Sequence, residues 1–342
     1  KSNFITSHPC YNCIIFNDEK KEYDGQPLVA SEYQMFGTLQ EGHHEVITYL
    51  GEQTQIGSSK SDINVKILDE KGLVYKKDDA LFLKTTNYGD DKDRVLVKTD
   101  GSYTYLVPDI AYHLDKFDRG FDYLVDVFGA DHHSYVSRLK ASIEALGYDK
   151  DKLEVRLLQM VRLLRDGKVV KMSKRTGGNI TIRELVDEIG SDAARYFFAS
   201  RSLDGQMDFD INLALKKSNE NPFFYVGYAH ARICSIINEA NLKNINFATT
   251  YEKIYDDDSK ALLLKVYDFS SVVEVSSGKK EPHLITNYVY ELASMFHNYY
   301  GKHRILTEDI ASSSQRLSLI KAVAITINNA LNLIGVEAPN KM

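Results

Sequence analysis

Between Tyr123 and Met160 the chain changes its hydrophobic period twice, and that change limits the folds open to it. Tyr123-Leu-Val-Asp-Val-Phe128 is short, apolar and β-branched, which reads as a strand, and Gly129-Ala130-Asp131 follows as a turn. Val136, Leu139, Ile143 and Leu146 then recur at helical spacing, and Glu154 to Met160 reads as a second strand. A strand–helix–strand order implies a parallel crossover, with ligands bound beyond the carboxyl ends of the strands. Gly129, Asp131, His132 and Met160 fall at those ends.

The flanking chain extends the pattern. Tyr103 to Val107 alternates like a strand, and Pro108-Asp109 opens a helix with Asp109 near its positive end. Arg162 to Leu164 and Lys168 to Val170 form a hairpin turned by Asp166-Gly167. Thr181 and Glu184 make a capping box for the next helix, and Asp192 caps another. From about residue 206 onward the period is helical. Asn221-Pro222 starts a long helix, and later helices are expected over 258–275, 282–300 and 312–334. Three parts follow: residues 1–63, irregular, polar and without an assigned fold; 64–205, an α/β domain with parallel strands; and 206–342, all-α.

Composition narrows the setting. A length of 342 residues suits two or three domains, and no apolar run approaches the roughly 18 residues of a membrane span. Three cysteines, Cys10, Cys13 and Cys234, make no disulfide framework, so a reducing cytoplasm is expected. A net charge of −6 argues against indiscriminate nucleic-acid binding and leaves room for local basic surface that finds one particular RNA.

Two features carry chemistry. Lys171-Met172-Ser173-Lys174-Arg175-Thr176-Gly177-Gly178 places cations and a hydroxyl on a glycine-loosened loop after the hairpin. Such a loop suits clamping a polyphosphate, because charge that develops as a phosphate leaves needs cations that arrive with it. Standing alone, the same residues would read as a solvated basic turn. Tyr225, Tyr228 and Arg232 lie at i, i+3 and i+7, so they share a helix face that either stacks exposed bases or packs as an aromatic stripe.

These motifs together resemble class I arginyl-tRNA synthetases. The likeness rests on Thr104-Tyr105-Leu-Val-Pro-Asp109-Ile-Ala-Tyr112-His113, Arg119-Gly120-Phe121-Asp122, Gly129-Ala130-Asp131-His132-His133 and the lysine loop. It continues through Asp208-Phe209-Asp210, Ser218-Asn219-Glu220-Asn221-Pro222 and Tyr228-Ala229-His230-Ala231-Arg232, all in family order. The resemblance implies a partial Rossmann-type catalytic domain, its second half, followed by a helical anticodon-binding bundle. It implies ATP-dependent activation of L-arginine to arginyl-adenylate and transfer to the 3′ end of tRNA(Arg), with Mg²⁺ carried on the ATP. Lys171, Lys174 and Arg175 would then hold the phosphates, with Met172 and Ser173 beside them. Gly129, Asp131, His132 and Met160 would contact ATP, the choice between His132 and His133 staying open. Tyr105 and Asp109 would face the arginine, an aromatic ring fixing the plane of a guanidinium whose fork the carboxylate accepts. The alternative makes Asp109 a helix cap and Tyr105 a core residue. Tyr225, Tyr228, Arg232 and the terminal Met342 would meet the tRNA. A cytoplasmic monomer without a membrane partner is expected.

The chain also departs from that family. A His-x-Gly-His signature should precede this region by well over a hundred residues, and Gln40-Glu41-Gly42-His43 matches only its last two positions. Three expectations follow: a fragment of a longer enzyme, a half completed in trans, or a relative that binds tRNA without catalysis. His8, Cys10 and Cys13, with His43 and His44, leave a zinc site open, although one Cys-x-x-Cys without a partner pair is set against it and no metal site is expected.

Overall fold

The computed structural model describes residues 71–170, 180–252 and 256–342, together with the backbone of three short strands ahead of them. Two compact units divide the chain, Lys1–Arg156 and Leu157–Met342.

In the first unit, β1 (Phe4–Thr6), β2 (Cys13–Phe16) and β3 (Tyr33–Phe36) pair antiparallel in that order. The sequence pattern predicts irregular chain here. Runs of three or four residues are too short for alternation to be read. A second antiparallel meander follows, of β4 (Val74–Lys77), β5 (Ala80–Leu83) and β6 (Arg94–Val97). Its first turn holds Asp78 and Asp79 at φ 48° and 57°, the left-handed pair that a two-residue hairpin requires.

The expected strand at Tyr103–Val107 is not formed. Tyr103 makes a single bridge to Val97, and the Thr104 N–H donates to the Leu96 carbonyl at 2.9 Å. The chain then turns directly into α1 (Leu106–Asp118). Pro108 sits within the first turn of this helix, where a missing N–H leaves no bond unmade. Helical period wins because Leu106, Val107 and Ile110, all at most 3% exposed, bury together against Leu83 and Leu96 of the meander.

β7 (Leu124–Gly129), α2 (Tyr135–Ala145) and β8 (Leu153–Leu158) form as the sequence pattern predicts, with β7 and β8 hydrogen-bonded neighbours. Leu124, Leu139, Ile143 and Leu153 make their common core. The opposite face of β7 stays open, with Val125 and Val127 exposed.

In the second unit, β9 (Val161–Arg165) and β10 (Lys168–Val169) form the expected hairpin, with Asp166 and Gly167 at φ 52° and 70°. β11 (Met207–Asp210) pairs parallel to β9, Phe209 opposite Leu163. This corrects the reading of everything beyond residue 206 as helical; four residues with one buried aromatic carry too little period to announce a strand. Three short helices join these strands to the bundle: α3 (Ile182–Ile189), α4 (Ser191–Ala199) and α5 (Ile211–Leu215). The capping box of α3 is complete. Thr181 Oγ1 accepts from the Glu184 N–H at 3.2 Å, and Glu184 Oε2 accepts from the Thr181 N–H at 2.7 Å. Asp192 does not cap α4, because Gly190 holds that position. Instead the Asp192 carboxylate accepts the Glu337 N–H at 3.3 Å.

The bundle comprises α6 (Pro222–Leu242), α7 (Asp257–Tyr267), α8 (Phe269–Lys279), α9 (His283–Lys302) and α10 (Ile310–Leu333). Pro222 opens α6, and the Asn221 side chain accepts from the N–H groups of Phe223 and Phe224 at 3.0 and 3.2 Å. The helix expected over 258–275 is two, α7 and α8, divided at Asp268, a residue type that favours helix starts. Val226, Ile233, Val289, Leu292, Phe296, Ile320, Val323 and Ile327 are fully buried between α6, α9 and α10. Among the described residues no helix is long and apolar enough to cross a membrane.

Gly227 of α6 lies where the carboxyl-terminal segment crosses the helix. A Cβ there would lie 3.1 Å from Pro339 Cγ and 3.2 Å from Met342 Sδ, and the neighbouring His230 Nδ1 donates to the Pro339 carbonyl at 2.9 Å. Gly227→Val is therefore expected to cost about 1–3 kcal/mol by overpacking and to lift the tail. Urea denaturation reads the first effect, and faster carboxypeptidase release of Met342 reads the second.

Candidate active site and nucleic-acid interface

The first unit holds a cleft of about 1330 Å³ bounded by the start of α1, the open face of β7 and the start of α2. Tyr105 and Asp109 stand together at its edge, both belonging to the start of α1 rather than to a strand end and a helix start. Tyr105 is 87% exposed, so it is no core residue, and no side chain caps this helix, so Asp109 is no cap. Asp109 is half-buried. One of its oxygens accepts a hydrogen bond from Tyr135 Oη. Burial, and then that carboxylate, push the Tyr135 phenol well above its ordinary pKa, so it stays a donor. The other carboxylate oxygen of Asp109 has no hydrogen bond among the described residues.

Behind this edge a buried network fixes α1 on β7. His113, 3% exposed, places Nδ1 2.7 Å from the Asp109 carbonyl and Nε2 2.6 Å from Asp126 Oδ2, while Lys116 Nζ donates to Asp126 Oδ1 at 2.8 Å. Burial alone would raise the Asp126 carboxyl, yet the bonds from His113 and Lys116 outweigh it and hold the group below the usual aspartate value. The backbone carbonyl of Asp109 is thereby tied to the strand that ends at Gly129. On the other side of the cleft, Arg94 grips the buried Asp90 through Nε at 2.7 Å and Nη2 at 2.8 Å.

Gly129 and His132 line the cleft, whereas Asp131 and His133 are exposed and do not. A Cβ at Gly129 would meet Asp131 Oδ1 at 2.5 Å, but that is the tip of an exposed side chain able to turn away, and φ is −61°, so the backbone here tolerates other residues. Met160 lies in the second unit, 72% exposed. Lys171, Met172, Ser173, Lys174 and Arg175 lie outside the described residues, as do His8, Cys10, His43, His44 and the Cys13 side chain. Among the described residues the grouping able to hold a metal is Asp256, Asp258 and His303, where Asp256 caps Ser259 and Asp258 accepts Lys302 at 3.0 Å.

The bundle carries a second concavity, about 790 Å³, lined by Tyr225, Tyr228 and Arg232 of α6, His297 and Tyr300 of α9, and Lys217-Ser218-Asn219. The Arg232 guanidinium lies 4.5 Å from the Tyr228 ring centre and 4.8 Å from that of Tyr300, and it donates to Tyr228 Oη. His297 packs 4.5 Å from the Tyr225 ring and donates Nε2–H to the Tyr225 carbonyl at 3.2 Å. Burial, and then the Arg232 cation, lower its pKa, so it is held as a neutral ring. Tyr225 also leans on the bundle core, so it shares both readings of the stripe. Met342 lines a separate cavity of about 450 Å³ with Phe223 and Lys216.

Tyr135, Arg138, His297 and Tyr300 went unread in the sequence. Tyr135 and Arg138 are three apart at the start of the helix that follows Asp131-His132-His133, so helical spacing from that turn would have found them. No local signal marks His297, which comes from a helix some seventy residues beyond Tyr225.

A family model for the class I (R) tRNA synthetase catalytic domain matches residues 15–204, and one for the DALR anticodon-binding domain matches residues 226–342. The arginine–tRNA ligase of Bacillus licheniformis is 53% identical over 288 residues, covering 83% of this chain and 52% of that protein. That of Bacillus cereus is 44% identical over 333 residues, covering 95% of this chain and 60% of that protein. A Campylobacter jejuni structure described as an arginyl-tRNA synthetase superposes with a TM-score of 0.75 at 35% identity, over 83% of this chain and 62% of that one. The Thermus thermophilus arginyl-tRNA synthetase, at 19% identity and a TM-score of 0.67 over 82% of this chain and 58% of its own, shares the fold. The chain thus spans about half the length of the curated relatives it matches. With the catalytic-domain model covering more than half of its residues and the anticodon-domain model most of the rest, the chain belongs to the class I arginyl-tRNA synthetase family.

Proposed function

We propose that this chain takes part in ligating L-arginine to tRNA(Arg) at the expense of ATP, supplied as its magnesium complex. The observation that carries this reading is the Asp109 carboxylate, half-buried in the cleft, oriented by Tyr135 and flanked by the exposed Tyr105 ring. A planar, permanently charged guanidinium is the group that such an edge holds best. Gly129 and His132 at the end of β7 are the ATP contacts in this reading, with Asp131 and Met160 as the outer candidates. The phosphate role stays with Lys171, Lys174 and Arg175. Tyr228 and Arg232, with Tyr225 behind them, would stack bases of the tRNA, and Met342 would flank them.

The test is arginine-dependent exchange of pyrophosphate into ATP, measured with and without tRNA(Arg). Exchange that needs both arginine and tRNA supports the reading. A second reading is a tRNA-binding role without catalysis; tight tRNA binding with no exchange would favour it. In either case Arg232→Ala is expected to weaken tRNA binding about tenfold, since each stacked base contributes roughly 1–3 kcal/mol. Filter binding of tRNA(Arg) at fixed salt checks this.

A further inference from the structure

Arg138, on the first turns of α2, is a cation of the cleft that the functional reading leaves unused. Its neighbours in the cleft are engaged: Arg94 with Asp90, Lys116 with Asp126. The Arg138 side chain has no ion pair or hydrogen bond among the described residues, and its Nε is shut off from solvent without a partner. Lys92 also lines the cleft, but it is exposed at the rim, where water serves an ammonium well. A guanidinium that lines a cleft with no counter-ion among the described residues leaves its terminal N–H groups to an oxyanion brought by a ligand.

The guanidinium is not adrift. It lies 5.1 Å from the centre of the Tyr135 ring, and the hydroxyl of that same ring bonds Asp109. One aromatic side chain thus holds an anion at its hydroxyl end and a cation over its face, both within one cleft. A ligand that is cationic at one end and anionic at the other fits this pairing, the cation going to Asp109 and the anion to the Arg138 fork.

We propose that Arg138 is the anion anchor of the cleft, taking an oxyanion of the ligand, either the carboxylate of the amino acid or a phosphate of the nucleotide. The proposal rests on the reading that Asp109 receives the guanidinium. Calorimetric titration of the chain with L-arginine, argininamide, agmatine and pyrophosphate separates the cases, run on the wild type, Arg138→Gln and Arg138→Lys. Argininamide and agmatine keep the guanidinium and lack the carboxylate. Thermal unfolding of each variant confirms that the fold persists.

For a carboxylate anchor, the wild type prefers arginine to both analogues. Arg138→Gln weakens arginine roughly tenfold, the scale of one charge-assisted contact, leaves agmatine within about twofold, and so erases the preference; Arg138→Lys recovers part of it. For a phosphate anchor, Arg138→Gln weakens pyrophosphate and leaves arginine alone. Agmatine and arginine weakened equally, or no ligand weakened, overturns the anchor while leaving the Asp109 notch standing. A wild type that binds none of the four overturns both.

Discussion

Replacing Asp109 with asparagine is expected to weaken L-arginine binding by about a hundredfold or more, without unfolding the chain. A hydrogen bond between charged groups contributes roughly 1.5–3 kcal/mol, and the oxygen of Asp109 not held by Tyr135 offers one to the guanidinium together with the full negative charge. The substitution keeps the size of the side chain and the acceptor for Tyr135, so the change falls on charge. The position is held from behind by the His113 bond to the Asp109 carbonyl and by the buried Asp126, neither of which the substitution touches. Titration with arginine reads the affinity, and circular dichroism confirms the helix content. An affinity within threefold of wild type would remove Asp109 from the binding edge.

The largest stability effect is expected at Asp90. Its side chain is fully buried, and Arg94, 11% exposed, bonds both of its oxygens. Asp90→Ala removes the buried partner and leaves the guanidinium only its bond to the exposed Asp91, so the cost is expected to approach the roughly 3–5 kcal/mol of a broken buried pair without exceeding it. Urea denaturation at neutral pH reads the loss as a lower midpoint. The same pair sets a pH dependence. Burial alone would raise the Asp90 carboxyl, but the bonds from Arg94 and from the Asp91 N–H overcome it and pull the group down to about 2. A carboxyl lowered in the folded state stabilises fully above its ordinary value near 4 and stops doing so as pH falls through about 2. On the order of 2 kcal/mol is expected to be lost across that window. Unfolding free energies of the wild type at pH 5 and pH 2, from urea denaturation, should differ by this amount more than those of Asp90→Asn, and equal differences would place the acid sensitivity elsewhere.

Periodicity sufficed where an element was long and its burial one-sided. The β7–α2–β8 unit, the β9–β10 hairpin, the Thr181 capping box and the starts of α3 and α6 were legible because each rests on local spacing or local capping chemistry. Two failures have one cause. Tyr103 to Val107 alternates for five residues and yet begins a helix, because Leu106, Val107 and Ile110 find a buried surface on β5 and β6 that only the folded chain supplies. β11 is a strand because β9 lies beside it, which no window around Met207–Asp210 could reveal. At the site, Tyr105 and Asp109 were found from their motif, and the structure puts both on one cleft. Their support was not legible. The partner of His113 is Asp126, thirteen residues on and in a strand, and Tyr135 reaches Asp109 from another helix. The ring that completes the Arg232 cluster, Tyr300, is likewise brought by a helix remote in sequence.

The central claim is that this cleft distinguishes a guanidinium by its charge. Competitive titration of the wild-type chain with L-arginine and L-citrulline, which replaces the guanidinium with a neutral urea of the same shape, tests it most directly. The account predicts that arginine binds and that citrulline binds about a hundredfold more weakly or not at all. Equal affinity for the two, or binding of citrulline alone, would contradict it.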